Sequence, residues 1–248
     1  MSQYALLTVG NPKTAKGKEL GYAVAVLHLA PSTLSGHNVC PMASEGCIAA
    51  CLNTAGRGGI FRAGETTNTI QQARIRRTKW LYSDRSSFIE TLKRDVLKFA
   101  AWCATNEFKP AIRLNGTSDL DWDGMAPGLI SFMESCGVIR YDYTKVPSRI
   151  KRETLRSGPA QAGDYRLCFS LAENNADTAA AWLIQGGNVA VVFRTAKLPT
   201  HFAINGVTRP VVDGDENDLR FLDPHGVIVG LKAKGRAKKD TSGFVRDC

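Results

Sequence analysis

Beyond Pro110 the chain alternates short apolar runs with segments of helical length, and this alternation limits the fold more than any other feature. The runs are Ala111–Asn115, Val138–Asp142, Tyr165–Ser170 and Asn188–Arg194, with helices predicted near 126–135, 147–156 and 174–185. A βαβαβαβ pattern implies right-handed crossovers between parallel neighbours, so the predicted class is α/β with a parallel sheet. Val207–Val212 and Val227–Leu231 add strands, and the run 22–29 reads as a buried strand stopped by Ala30-Pro31-Ser32-Thr33. About seven strands approach the eight of a closed barrel, which predicts a partial or complete (β/α) barrel-like sheet; an open doubly wound sheet fits the same pattern. Two long helices, about 66–82 and 84–105 with Asp84 as N-cap, come before the alternation. At 248 residues and 44% hydrophobic, the chain has enough apolar material for one large core, and residues 1–248 are expected to form one domain.

Between the first strand and those helices lies a cysteine loop, residues 30–59, whose centre reads Cys40-Pro-Met-Ala-Ser-Glu-Gly-Cys47-Ile-Ala-Ala-Cys51. A short helix from Ile48 to Leu52 would set Cys47 and Cys51 on one face, with Cys40 folding back to meet them. The Gly56-Arg57-Gly58-Gly59 run ends that helix. The chain holds seven cysteines, an odd number, and the other four are scattered, so reduced thiols rather than a disulfide framework are expected. Structural zinc normally takes four protein ligands, whereas a cluster held by three thiolates leaves one iron open. The expected cofactor is therefore an iron–sulfur cluster on Cys40, Cys47 and Cys51, with a small-molecule ligand or cofactor at the open iron. The alternatives are zinc, with His37 as a fourth ligand, and thiols without metal. Cys136 and Cys168 stay open as further ligands, although Cys168, in a predicted strand, reads as a small buried hydrophobe.

Parallel α/β folds put their working groups where strands end and loops begin. Here those ends carry Asn115, Ser118 and Asp119, then Asp142 and Lys145, then Ser170 and Glu173, then Arg194. They are expected to converge on one rim and line a ligand pocket, although Asp119 or Ser118 alone would serve equally as a helix cap. Asp213 and Asp215 join that set as a polar loop able to meet a ligand or Mg²⁺. They do not form an EF-hand, which wants Gly at its sixth and Glu at its twelfth position, where Asp218 and Pro224 stand.

The formal net charge is +9, which makes nucleic acid a candidate partner. Basic clusters stand at Lys13/Lys16/Lys18, Arg74/Arg76/Arg77/Lys79, Lys145/Arg149/Lys151/Arg152/Arg156 and along a basic tail, 232–248. A solvated surface would give the same clusters, and no nucleic-acid-binding motif accompanies them. No Gly-x-Ser-x-Gly elbow, Walker loop or Gly-x-Gly-x-x-Gly turn is present, which weakens hydrolase, NTPase and dinucleotide readings. No membrane segment or signal sequence is read, and a cytoplasmic location is expected.

At several stretches the sequence resembles a bacteriophage family named for mycobacteriophage gene product 88: Leu29–Gly36, Val39–Ala43 with Gly46-Cys47 and Ala50-Cys51, Ala55–Gly58, Arg113–Asp119, Tyr141–Lys145, Gly187–Arg194, and Asp213–Asp215 through Gly230–Lys234. That resemblance implies a phage protein working in a bacterial host's cytoplasm. A looser one is to radical S-adenosylmethionine enzymes, which pair a three-cysteine [4Fe–4S] loop after the first strand of a partial barrel with a strand-end site. Six and three residues separate the cysteines here, against that superfamily's three and two. The resemblance implies a redox or radical enzyme and S-adenosylmethionine as a ligand.

Overall fold

The computed structural model describes residues 4–10, 15–61, 64, 66–151 and 161–248. Among them are ten strands: β1 (Leu7–Val9), β2 (Tyr22–Leu27), β3 (Lys109–Arg113), β4 (Ile139–Thr144), β5 (Tyr165–Ser170), β6 (Asn188–Phe193), β7 (His201–Ile204), β8 (Val207–Asp213), β9 (Ile228–Lys232) and β10 (Val245–Arg246). The helices are α1 (Glu45–Ala49), α2 (Thr69–Ser83), α3 (Arg85–Thr105), α4 (Trp122–Met125), α5 (Pro127–Ser135), α6 (Pro147–Ile150) and α7 (Ala176–Ile184). The predicted helix at 147–156 begins as α6, and its part from 152 lies outside the described residues.

The strands form one mixed sheet in the order β1-β2-β3-β4-β5-β6-β9-β8-β7. From β2 through β6, β9 and β8 neighbours run parallel, and only the short end pairs β1–β2 and β7–β8 are antiparallel. Spatial order thus follows chain order from β1 to β6, with no reversal that would make a doubly wound switch point. The sheet is not closed: β1 and β7 stand at opposite ends without pairing to each other. This corrects the expectation of a complete barrel, and the reason is local. Both ends are occupied by three- and four-residue antiparallel strands, β1 and β7, which close off the parallel run before it can meet itself.

The core follows from residue alternation and helical stripes. On one face Ala23, Ala25, Leu27, Ile112 and Leu114 meet Phe88, Leu92, Val96, Phe99 and Cys103, which recur every three or four residues along α3. On the other, Val24, Val26, Ala111 and Tyr141 pack under Leu219 and Phe221. A third group joins α7 to β5 and β6 through Ala179, Leu183, Phe169 and Val191. Asp84 caps α3 as predicted, its Oδ1 accepting from Ser87 N–H at 3.1 Å. Within the α3 stripe Asp95 is buried, and its carboxylate accepts from the N–H groups of Ala5, Leu6 and Leu7 at 3.2, 2.7 and 3.1 Å, pinning β1 to the helix.

The stretch read as a basic tail is part of the fold. Beyond Ser170, β10 takes up the parallel pairing along β6, Val245 opposite Val192 and Arg246 opposite Phe193. Ala233, Ala237, Phe244 and Val245 are buried together with Ala50 and Ala172, and Cys47 packs against them. The last segment of the sequence therefore wedges in beside the cysteine loop.

Candidate metal centre

The cysteine loop is tied to the carboxyl ends of β2, β3 and β5. Val39 O accepts from Asp119 N–H at 2.7 Å, and Thr117 Oγ1 donates to Leu29 O. Cys40 Sγ accepts from Ser32 N–H at 3.3 Å and lies 3.9 Å from Thr117 O, while its own N–H donates to Asn38 Oδ1 at 2.9 Å. Helix α1 starts at Ser44, whose Oγ accepts from Cys47 N–H at 3.2 Å. Ser44 Oγ also donates to Glu173 Oε2 at 2.7 Å, and Gly46 N–H donates to Glu173 Oε1 at 2.8 Å. A carboxylate from the end of β5 thus clamps the first turn of the helix that carries Cys47. Gly46 makes the close approach possible, since a Cβ there would stand 2.1 Å from Ser242 Oγ and 2.9 Å from Glu173 Oε1.

This differs from the expected helix. It runs from Glu45 to Ala49 rather than from Ile48 to Leu52, and Cys51 lies beyond it with ψ 133, a value that ends helical hydrogen bonding. Cys40, Cys47 and Cys51 therefore sit before, within and after α1 rather than two on one helical face.

All three thiols are free and half-buried, and each is within electrostatic reach of the other two. Burial pushes the Cys40 thiol up to about 11, partly opposed by the Ser32 N–H, with the neighbouring Cys51, Asp119 and Cys47 adding to the rise. Burial also raises Cys51, against the hydrogen bond from Asn53 N–H and the nearby cations Arg74 and Lys145. Arg74 is held in place by donating to Asn53 Oδ1. Without metal, Cys40 and Cys51 are protonated at neutral pH, so a metal taken up there must displace protons. Among the described residues no group of three or more His, Cys, Asp or Glu side chains is arranged to hold a metal ion. His37 lies flat on Tyr82 with ring centroids 4.0 Å apart, Cys136 packs against the α3 core, and Cys168 is buried with Ala190 and Val229.

Six of the strand-end residues are brought together below the loop. Asp142 Oδ1 accepts from Asn115 N–H at 2.8 Å and Oδ2 from Asn115 Nδ2 at 3.3 Å; Asn115 Oδ1 accepts from Ser118 Oγ at 2.8 Å. Asp119 Oδ2 accepts from Lys145 N–H at 2.7 Å, and Lys145 Nζ donates to Ser170 Oγ at 2.8 Å. Arg194, Asp213 and Asp215 are used elsewhere. Arg194 donates to Asp240 O and pairs with Asp247 at 3.0 Å. Asp213 Oδ1 accepts from Asp215 N–H at 2.8 Å, and Asp215 accepts from Lys232 N–H at 2.9 Å and Lys234 Nζ at 2.6 Å.

The network also contains members not selected from the sequence. Arg149, 3% exposed, donates to Asp119 and to the Tyr165 hydroxyl and lies 3.8 Å from Asp142 Oδ2. Tyr165 in turn donates to Asp142 Oδ2 at 3.2 Å, and Arg113 stands 4.0 Å from Asp142 and 3.6 Å from Asp218 while its guanidinium stacks on Tyr143. Nearby His28 is driven down to about 3, first by burial and then by Arg74, Arg113 and Arg77. The thiol loop thus sits among cations, a setting suited to an anionic metal–thiolate group.

A family model described as gene product 88 matches residues 5–248. No curated protein and no solved structure matches the chain.

Proposed function

The chain belongs to the gene product 88 family of bacteriophage proteins, and we propose that this member is an iron–sulfur protein whose cluster is held by Cys40, Cys47 and Cys51. What supports the reading most is that three free, half-buried thiols lie in one short loop tied to the strand ends, with Cys40 Sγ 3.9 Å from Thr117 O. A single zinc ion with 2.3 Å bonds would draw its thiolates to within about 3.8 Å of one another. A cluster binds each thiolate at a different iron, so three thiolates can hold it and leave a further iron open. When bound, it would supply electron transfer at an iron open to a small molecule, for which S-adenosylmethionine is the candidate. The chain-order run from β1 to β6 suits a (β/α) barrel left open, with its mouth at this rim.

The chain's own groups have definable parts in that reading. Arg74 and Lys145 offset the negative charge of thiolates, and the Ser32 N–H donates to the Cys40 sulfur. Lys145 and Ser170, joined through one hydrogen bond, would present an ammonium and a hydroxyl to an anionic ligand. Asp142, pushed up to about 6 by burial against the pull of Arg149 and Arg113, would hold or release a proton near neutral pH. A host cytoplasm would keep the thiols reduced.

Anaerobic purification with iron supplied, followed by the ultraviolet–visible spectrum and iron, sulfide and zinc analysis, tests the reading. The expected result is a brown protein with comparable iron and sulfide, whose absorbance is lost in Cys40→Ala, Cys47→Ala or Cys51→Ala. Absorbance surviving removal of all three cysteines, or a colourless protein with stoichiometric zinc, would overturn it. If the cluster is present, a changed electron paramagnetic resonance signal on adding S-adenosylmethionine to the reduced protein is expected.

A further inference from the structure

Beside the thiol loop the surface opens into a cleft of about 330 Å³. One wall is α1 with Ala50, and the other is the turn Gly235–Lys239 and the residues after it, with Arg236 and Lys239 facing the space. That turn is packed on the loop itself: a Cβ on Gly235 would lie 3.0 Å from Thr54 O. Two carboxylates also line the cleft, and they differ in availability. Asp240 is committed, accepting from Val245 N–H at 2.9 Å and Ser242 Oγ at 2.7 Å, whereas Glu45 is exposed. Arg236, Lys238 and Lys239 are exposed, and among the described residues no carboxylate lies within ion-pair distance of them.

We infer that this cleft takes the phosphate backbone of a single-stranded nucleic acid, led past Arg236 and Lys239 toward the thiol loop. Unpaired cations along a groove, in a chain of net charge +9, are the electrostatic footprint of a polyanion. The volume lies at the lower end of that of small-molecule sites, room for a nucleotide and too little for a duplex. Cys47 does not itself line the cleft, but α1, which forms one wall, carries it, so a strand bound there lies against the helix that bears one of the proposed cluster ligands. Nucleic acid as a substrate class rests on the iron–sulfur reading, while binding itself does not.

Fluorescence anisotropy with a labelled 20-nucleotide single strand, on the metal-loaded protein between 50 and 200 mM salt, tests the inference, with the absorbance spectrum of the same sample recorded separately. Binding is expected to weaken with salt. The double variant Arg236→Ala/Lys239→Ala should bind more weakly and lose two phosphate contacts, so that its fall in affinity over that range is about sevenfold smaller than wild type at ~0.7 per phosphate. Arg94→Ala/Lys98→Ala, on α3, should keep the wild-type slope, and Arg236→Glu alone should weaken binding further than Arg236→Ala. No binding at 50 mM salt, an unchanged slope in the cleft variant, or displacement by inorganic phosphate at the concentration effective for unlabelled strand would overturn it. A cluster spectrum without binding removes only this inference; binding without a cluster removes only the iron–sulfur reading.

Discussion

Asp142 is enclosed at the end of β4, where burial lifts its carboxyl to about 6 although Arg149, Arg113 and the Asn115 N–H all favour the anion. Its folded value lies above the ordinary carboxylate value of ~3.9, so the native state holds the proton more tightly than the unfolded chain. Stability from this group is therefore fully present below about pH 4 and is lost as pH rises from there through about 6, by about 3 kcal/mol. Asp142→Asn should flatten this part of the profile: the difference in urea midpoint between pH 4.5 and 6.5 should shift relative to wild type. An identical difference in the two proteins would mean that Asp142 is ionised throughout. Asn115, Ser118, Asp119, Asp142, Lys145 and Ser170 were legible in the sequence because each follows a recognisable strand. Arg149 was not, since four residues past Lys145 in a basic cluster it has the pattern of a solvated face, and only the tertiary neighbours Asp119 and Tyr165 make it a buried partner.

At the scale of elements, α1 is five residues long, too short to persist in water on its own, and owes its position to Glu173. Burial alone would raise the Glu173 carboxyl, but the Ser44 hydroxyl and the Gly46 N–H outweigh it and hold it below the usual range. The clamp is thus in force above the unfolded carboxylate value and fades as pH falls through the lower folded one. Glu173→Ala should release α1 and speed modification of Cys47 by a thiol reagent, with Glu173→Gln intermediate; equal labelling rates in the three proteins would dissociate the Glu173 clamp from the thiol loop. Asp95→Ala should cost about 3 kcal/mol in urea unfolding, because three backbone N–H groups of the β1 segment lose their acceptor. The strands and long helices were readable because apolar spacing is a local property. The start of α1 was misread because Ser44 caps it jointly with a side chain 129 residues away. Strands β1, β7 and β10, at two to four residues, are too short for a periodicity to register.

For the molecule as a whole, the parallel α/β class was legible and closure was not, since whether the last strands of a series reach the first depends on edge pairings such as β7–β8 that no spacing encodes. The same holds for the basic stretch from 232: its charge is visible, while the burial of Phe244 and Val245 depends on α1 and β6. Deleting residues 240–248 should therefore lower stability by about 3–5 kcal/mol, the scale of losing a buried Phe, and should speed modification of Cys47 by a thiol reagent. A truncated chain with wild-type stability and labelling rate would return that segment to the status of a tail.

The packing of Cys47 on the cluster that contains Phe244 and Val245 also orders events in time. On a ribosome adding about 5–20 residues per second, roughly 10–40 s separate the synthesis of Cys51 from that of Phe244. During that interval the thiols stand on a nascent chain whose pocket lacks a wall. A chain cut short before Phe244 would carry the three cysteines without the burial that this segment gives their loop.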